Sequence, residues 1–423
     1  MYRACEIVSH GDAVAAAEGR SISIMFRKKT KESNEILSDA TADTLRDSLS
    51  DDKTVSYAEN ASQEASNAKP TLSEQALADE KAQKRPKEIC YSLTKSHFPS
   101  ADGKNDIAYY VFRPLQQEPK AIVQISHGMC EYLLRYEDFA NELCRHGYVV
   151  CGNDHLGHGY TAKTPEDLGF TAEGGGGAFF VQDVHTLTKW IKQQYPTLPL
   201  ILLGHSMGSF IARLYLAHYS DEVDAAVIVG TGGPEAPSGL ARKLAQILIV
   251  KKGERYRSKP LDRMAFGSYN KKFKKEHDSY SWLTRDTAIR DRYAQDPFCT
   301  YIFTTRAFYD LFDLLHAVSK KSWAGKIRKD LPMLLMSGDM DPVGNYGKGV
   351  EKVFHRLADA GIEDVTLRLY KNGRHEILNE LGRETIFDQT IEWMDSHLPS
   401  TENTAHESGD AEPSGPKSTE NGK

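Results

Sequence analysis

The sequence predicts an α/β fold with a mostly parallel sheet of eight strands, helices on both faces and one inserted helical cap. Three observations lead to this prediction. Short apolar runs alternate with longer amphipathic stretches along most of the chain, which is the pattern of repeated strand and helix units. Several runs are apolar without interruption, as expected of strands buried on both faces. The interval from residue 230 to 330 is too long for an ordinary connection.

The expected elements follow in chain order. Strands are expected at 89–94, 106–112, 121–126, 148–153, 198–203, 225–229, 331–336 and 365–369. Helices are expected at 135–146, 179–194, 209–219, 349–360 and 378–397. The long interval after the sixth strand is rich in aromatic and basic residues, and it predicts the cap at about 234–324, including a helix that returns to the sheet.

The folded domain is expected at 87–398, between two polar extensions. Residues 1–86 and 399–423 are expected to be disordered, because both are rich in polar and charged residues. Residues 28–85 contain almost no aromatic side chains, so little apolar surface is available to offset the entropy lost on ordering.

The overall composition bears on partners and compartment. A formal net charge of −6 gives no sign of nucleic-acid binding. The six cysteines form no CxxC pair and no zinc-ligand spacing, which indicates reduced thiols in a reducing compartment. The sequence has no run of 18 apolar residues and no secretory signal, so the expected location is the cytoplasm.

The segment Gly204-His205-Ser206-Met207-Gly208 lies between an apolar run and a predicted helix. A serine between two glycines at such a junction is typical of a nucleophile elbow, a tight turn that raises the hydroxyl above the edge of the sheet. The pentapeptide also occurs by chance, so its partners decide the interpretation. Enzymes that use this elbow place the acid and then the histidine later in the chain.

Both partners of Ser206 can be found after predicted strands. Asp339 and Asp341 follow the strand at 331–336, and His375 follows the last strand. Pro342 turns the chain away after Asp341, which favours Asp341 as the acid that orients the histidine. Asp339 is the alternative acid, or else a turn residue whose carboxylate caps local amides.

The segment His127-Gly128-Met129 follows the strand at 121–126. Acyl transfer needs two donors for the tetrahedral oxyanion, and we expect them to be the backbone amides of Met129 and Met207. The segment 154–159 contains two histidines after an aspartate, but no further ligands complete a zinc set. It is therefore interpreted as a structural turn, and no metal site is predicted.

These motifs together resemble one family. The segments 127–131, 154–159, 204–208, 338–341 and 374–380 are similar to those of the monoacylglycerol lipase and lysophospholipase branch of the α/β-hydrolases, which is grouped with serine aminopeptidase-like hydrolases. The resemblance covers nearly all of 88–398. It implies the α/β-hydrolase fold and hydrolysis of single-chain lipid esters without a cofactor. Tyr132 and Leu378 depart from residues found in some family members.

Substrate contacts are expected near the oxyanion segment and in the cap. Glu131 and Arg135 match family positions near the alcohol part of the substrate, although an i, i+4 pair of this kind is also a common surface ion pair. Phe266 and Trp282 either line an acyl pocket or form a small core of the cap.

The basic stretch from 240 to 275 has two interpretations. Its apolar stripe, with Leu240, Leu244, Ile247 and Leu248, either makes transient contact with an anionic membrane surface or packs on the sheet. The sequence thus predicts a cytoplasmic serine hydrolase of monoacylglycerol or lysophospholipid, acting through an acyl-enzyme on Ser206. The alternatives are an aminopeptidase or short-chain carboxylesterase, and a non-catalytic binding protein of the same fold.

Overall fold

A single twisted sheet organises the residues that the computed structural model describes, which are 20–25, 88–234 and 238–399. Its strands are β1 Arg20–Met25, β2 Tyr91–Pro99, β3 Asp106–Pro114, β4 Ala121–Ser126, β5 Tyr148–Asn153, β6 Leu200–His205, β7 Ala225–Val229, β8 Met333–Gly338 and β9 Asp364–Tyr370. Their spatial order is β1-β9-β8-β7-β6-β4-β5-β3-β2. The pairs from β5 across to β9 are parallel, and β1, β2 and β3 pair antiparallel at the two ends.

Helices cover both faces of this sheet. The α-helices of the described residues are α1 Glu137–Arg145, α2 Gly177–Gln194, α3 Met207–Tyr219, α4 Ser238–Lys252, α5 Lys259–Phe266, α6 Thr287–Gln295, α7 Thr305–Ser319, α8 Lys348–Asp359 and α9 Arg383–Ser396. Helices α2, α3, α7 and α8 pack on one face, and α1 and α9 pack on the other. Every residue of β4 to β8 is buried, which explains their uninterrupted apolar sequences.

Each of the eight predicted strands overlaps a strand of the structure, so the predicted fold class is confirmed. The ninth strand, β1, was not predicted and falls in the segment 1–86, where no order was expected. It pairs with β9 from Arg20 opposite Leu369 to Met25 opposite Asp364. Its short sequence alternates serine and isoleucine, and its pairing partner lies more than 300 residues away, which no local pattern reveals. The other predicted disorder lies outside the described residues.

Among the described residues, the four α-helices α4 to α7 lie between β7 and β8, where the sequence predicts the cap at about 234–324. Three of them start at polar caps: Ser258, Asp286 and Thr304 accept hydrogen bonds from the first free amides of α5, α6 and α7. Helix α7 returns to the main core through Phe308 and Val318, both fully buried. None of the helices in the described ranges has the length and apolarity needed to cross a bilayer.

Candidate active site

Ser206 occupies a strained turn between β6 and α3. Its φ of 53° and ψ of −119° are rare for a residue with a side chain. Two residues later the chain comes so close to the end of β4 that a Cβ on Gly208 would lie 2.0 Å from the carbonyl oxygen of Ser126. Only glycine fits there. The structure thus has the predicted elbow, with Ser206 half-buried at the start of a helix.

The predicted acid and histidine contact each other. His375 Nδ1 lies 3.0 Å from Asp341 Oδ2, and both side chains are almost fully buried. The carboxylate is held in place by the amide of Val343 at 2.8 Å and the hydroxyl of Ser337 at 3.2 Å. Because an ionised carboxylate can only accept, Nδ1 carries the ring proton. That leaves Nε2 of His375 free to accept a proton.

The other candidate acid, Asp339, faces away from this pair. Its Oδ1 accepts a hydrogen bond from the amide of Asn372 at 2.7 Å. It therefore bridges the turn after β8 to the turn after β9, and the amide that it caps is distant in the chain rather than local. The structure brings Asp341 rather than Asp339 against His375.

The segment after β4 lies against the serine. A Cβ on Gly128 would lie 2.9 Å from Ser206 Cβ and 2.6 Å from Glu131 Oε1, so glycine is required for this approach. Met129 and Met207 then line the same cavity as Ser206. Met207 is the first residue of α3, and its amide is among those that a helix leaves without an internal partner.

A buried ionic network lies beneath this segment. Glu131 accepts hydrogen bonds from the Gly128 amide, from Tyr136 and from His205 Nδ1, the last at 2.9 Å. Burial alone would raise the pKa of Glu131, but His205 and Arg135 hold it well below its ordinary value. Burial alone would lower the pKa of His205, but the carboxylate of Glu131 raises it above its ordinary value. The network fixes the shape of the loop that carries Met129.

Arg135 lies one layer behind the cavity wall. Its two terminal nitrogens donate to the two carboxylate oxygens of Glu376 at 2.8 and 2.7 Å. Glu131 lines the cavity, whereas Arg135 links Glu131 to Glu376, which directly follows His375 in the chain. Sequence reasoning did not single out His205 or Glu376. Their signals were direct adjacency to Ser206 and His375 and membership of the segments 204–208 and 374–380, which carry the family resemblance.

A cavity of about 880 Å³ opens above Ser206 and His375. Phe266 and Trp282 are among the residues that line it. Its rim includes Leu240 and Met264, which are 72% and 47% exposed. The volume and mostly apolar walls suit a ligand with a long hydrocarbon part.

The two histidines of the segment 154–159 are buried in a structural cluster. His155 contacts Ser126 Oγ at 3.0 Å, and the aromatic ring of His158 lies against Phe303. Burial lowers the pKa of His158 to about 3, so this ring is neutral near pH 7. Asp154 accepts from Tyr110 and from two backbone amides. Among the described residues no group of three His, Cys, Asp or Glu side chains is arranged to hold a metal.

Comparison with known proteins extends these observations. The family model described as "Serine aminopeptidase, S33" matches residues 117–382, more than half of the chain. The chain is 29% identical to a monoacylglycerol lipase of Mycolicibacterium smegmatis over 73% of its own length and 99% of the relative's. It is 28% identical to a human monoglyceride lipase, covering 73% of this chain and 92% of that one.

Solved structures show the same architecture. A carboxyl esterase from Bacillus coagulans, solved in complex with glycerol, matches with a TM-score of 0.68 and 28% identity, covering 72% of this chain and 98% of that one. The order of the elbow, acid and histidine, their meeting at one edge of the sheet and the family match agree. The chain belongs to the serine aminopeptidase, S33, family of the α/β-hydrolase fold.

Proposed function

We propose that the protein is a serine hydrolase that cleaves the carboxylic ester of a single-chain lipid, monoacylglycerol or lysophospholipid. One observation carries the proposal. The strained Ser206 and His375, which is paired with the buried Asp341, both line one large, mostly apolar cavity. An esterase needs the serine and the histidine–aspartate pair, and a substrate with one acyl chain suits the cavity.

The proposed reaction has two steps. His375 Nε2 takes the proton of Ser206 Oγ as that oxygen attacks the ester carbonyl, and then returns it to the leaving alcohol. Water hydrolyses the acyl-enzyme by the same proton transfers. Asp341 orients His375 and stabilises its charged form. The amides of Met129 and Met207 bind the oxyanion, and each contributes about 3 kcal/mol to transition-state stabilisation. No cofactor takes part in these steps.

The relatives' names support the lipid assignment. The two relatives compared above are named as a monoacylglycerol lipase and a monoglyceride lipase. Lysophospholipid remains in the proposal because the cap is rich in lysine and arginine between 251 and 275, and cations attract a phosphate headgroup.

We also propose that the cap makes transient contact with an anionic membrane surface. Helix α4 packs on the core through Ala245 and Leu248, so only part of its apolar stripe contacts the sheet domain. Four other apolar residues of this helix are exposed: Leu240, Leu244, Ile247 and Val250. Basic residues surround them, a combination that favours anionic lipid. Four buried cysteines, Cys130, Cys144, Cys151 and Cys299, are free thiols, which supports a cytoplasmic location.

Fatty-acid release from a substrate panel tests the function. The panel contains monoacylglycerols, lysophospholipids and short nitrophenyl esters, and Ser206→Ala is the blank. We expect wild-type protein to release long-chain fatty acid and Ser206→Ala to lose roughly ten-thousand-fold or more of kcat. Full activity in Ser206→Ala would overturn the mechanism. Activity on acetate or butyrate esters alone would favour the short-chain carboxylesterase while leaving the mechanism intact.

The second candidate function is an aminopeptidase, which needs an acid in the cap to hold a free amine. Glu254 and Glu276 are paired with arginines, and Asp278 contacts Arg290. Asp262 lines the cavity, and this position is the observation that favours an aminopeptidase. Faster hydrolysis of aminoacyl amides than of lipid esters would select it. Failure of a fluorophosphonate probe to label Ser206 would instead favour a binding protein.

A further inference from the structure

The loop that carries His375 is built onto the cap. The amide of His375 donates to the carbonyl of Trp282 at 3.3 Å, and the amide of Glu376 donates to the carbonyl of Leu283 at 2.7 Å. The ring of Trp282 also lies over the ring of His375, with centroids 5.1 Å apart. A residue that must accept and return a proton is therefore positioned partly by a segment inserted between two distant strands.

Arg374, directly before His375, makes the strongest of these connections. Its guanidinium binds both carboxylate oxygens of Glu276 and donates to the carbonyls of Ser281 and Thr284. One face of the guanidinium lies 4.2 Å from the ring centroid of Phe273. The side chain of Arg374 is only 10% exposed, so its charge depends on Glu276 for compensation.

Glu276 joins two arginines from different parts of the chain. Its Oε2 lies 3.0 Å from Arg374 and 2.5 Å from Arg290 of α6. The hydrogen bond from Arg374 is the main reason that the pKa of Glu276 falls to about 2. The carboxylate is thus ionised throughout the pH range in which His375 must work, and it holds the arginine in a bidentate geometry that fixes orientation as well as charge.

We propose that Glu276 is a positioning residue for His375, acting through Arg374. The proposal rests on the proposed function, because it assigns a role only if His375 moves a proton. Glu276 touches neither Ser206 nor the cavity wall, so its effect is indirect. Without its carboxylate, Arg374 loses its bidentate partner and the loop that carries His375 loses one of its attachments to the cap. A displacement of about 1 Å at a catalytic group costs up to 100-fold in rate.

Asp278 provides a matched control for Glu276. It lies two residues away and its Oδ2 is 3.1 Å from Arg290. Both acids therefore contact Arg290 of α6, and of the two only Glu276 also binds Arg374. A general loosening of the cap would follow from either loss of charge. Displacement of His375 is expected only from loss of Glu276.

The experiment compares Glu276→Gln, Glu276→Asp and Asp278→Asn with wild type. The rate of Ser206 labelling by a fluorophosphonate reports activation of the serine without a lipid substrate. Steady-state hydrolysis of a short nitrophenyl ester gives kcat, KM and the pH–rate profile. For Glu276→Gln we expect about tenfold lower kcat and labelling rate, an unchanged KM and a rising limb of the profile displaced to lower pH. Glu276→Asp recovers part of the loss, and Asp278→Asn stays within about twofold of wild type.

Two results would overturn the proposal. One is wild-type kcat and pH profile in a folded Glu276→Gln protein, and the other is an equal loss in Asp278→Asn. If Glu276→Gln does not fold, Arg374→Lys keeps the charge without the bidentate pair and must show the same loss of kcat. Absence of labelling in wild type would instead refute the proposed function, so the two failures are distinguishable.

Discussion

The two halves of the cap differ in what they bury. The outer half, residues 238–266, exposes apolar side chains: Val250 of α4 is 78% exposed, and Met264 of α5 is 47% exposed. The inner half, residues 276–295, is buried against the loop that carries His375, and Leu283, Ile289 and Tyr293 are each less than a tenth exposed. One insertion therefore contains both a surface that faces solvent and a segment that supports the site.

The difference suggests that the cap does not move as one lid. Opening of the inner half would break the hydrogen bonds from His375 and Glu376 and the ion pair between Glu276 and Arg374. In the outer half such attachments are concentrated in the loop between α4 and α5, where Glu254 is paired with Arg306 and Arg257 donates to the carbonyls of Ile302 and Leu168. Helix α4 itself is attached by the pair between Arg242 and Asp313 of α7. We expect substrate entry to involve α4 and α5, while the inner half keeps its place.

A matched pair of leucine truncations gives the largest expected contrast. Leu283→Ala in the inner half removes a side chain that is 3% exposed and should lower the free energy of unfolding by about 2–3 kcal/mol. Leu240→Ala in the outer half removes one that is 72% exposed and should change it by less than about 0.5 kcal/mol. Urea denaturation measures both. Similar losses in the two variants would show that the halves are equally well packed.

Membrane contact should depend on the outer half alone. Ile247→Ser removes a half-exposed apolar side chain from α4 and should weaken binding to phosphatidylserine-containing vesicles about tenfold. The control is Leu381→Ser, because Leu381 is similarly exposed but lies outside the cap. Vesicle sedimentation measures both variants, with thermal midpoints taken alongside. Equal loss of binding in the two variants would contradict a specific contact through α4.

Acid should weaken the inner half first. The pKa of Glu276 is lowered to about 2 from an ordinary value of 4.5, so its contribution to stability is present above pH 4.5 and is lost as the pH falls towards 2. Asp262 of the outer half has a raised pKa because of burial. Ionisation of its carboxyl therefore lowers the stability of the fold, and protonation at lower pH restores it.

This linkage can be measured in one variant. The difference in unfolding free energy between wild type and Glu276→Gln should narrow between pH 4.5 and 2, because the protonated carboxyl no longer differs in charge from the amide. Urea denaturation of both proteins at several pH values measures this difference. A difference that stays constant over this range would show that the carboxylate contributes little to stability.

Local sequence patterns were sufficient for most of the sheet and for the order of the site residues. The strands β4 to β8 are short apolar runs, which is the pattern of strands buried on both faces. The glycines around Ser206 and the segment beginning at His127 were readable because each follows such a strand directly. The strand β1 was missed, since its pairing with β9 joins distant parts of the chain.

The sequence by itself determined the fold class, the family and the chain order of Ser206, Asp341 and His375, because these depend on local periodicity and on turn residues next to strands. Only the tertiary structure decided which acid meets His375 and which residues support it. Arg374 and Glu276 are 98 positions apart, and ionic pairing at that separation depends on how the cap folds back onto the sheet. Such contacts leave no periodic trace in a sequence, since a single charged residue looks the same whether it is solvated or buried in a pair.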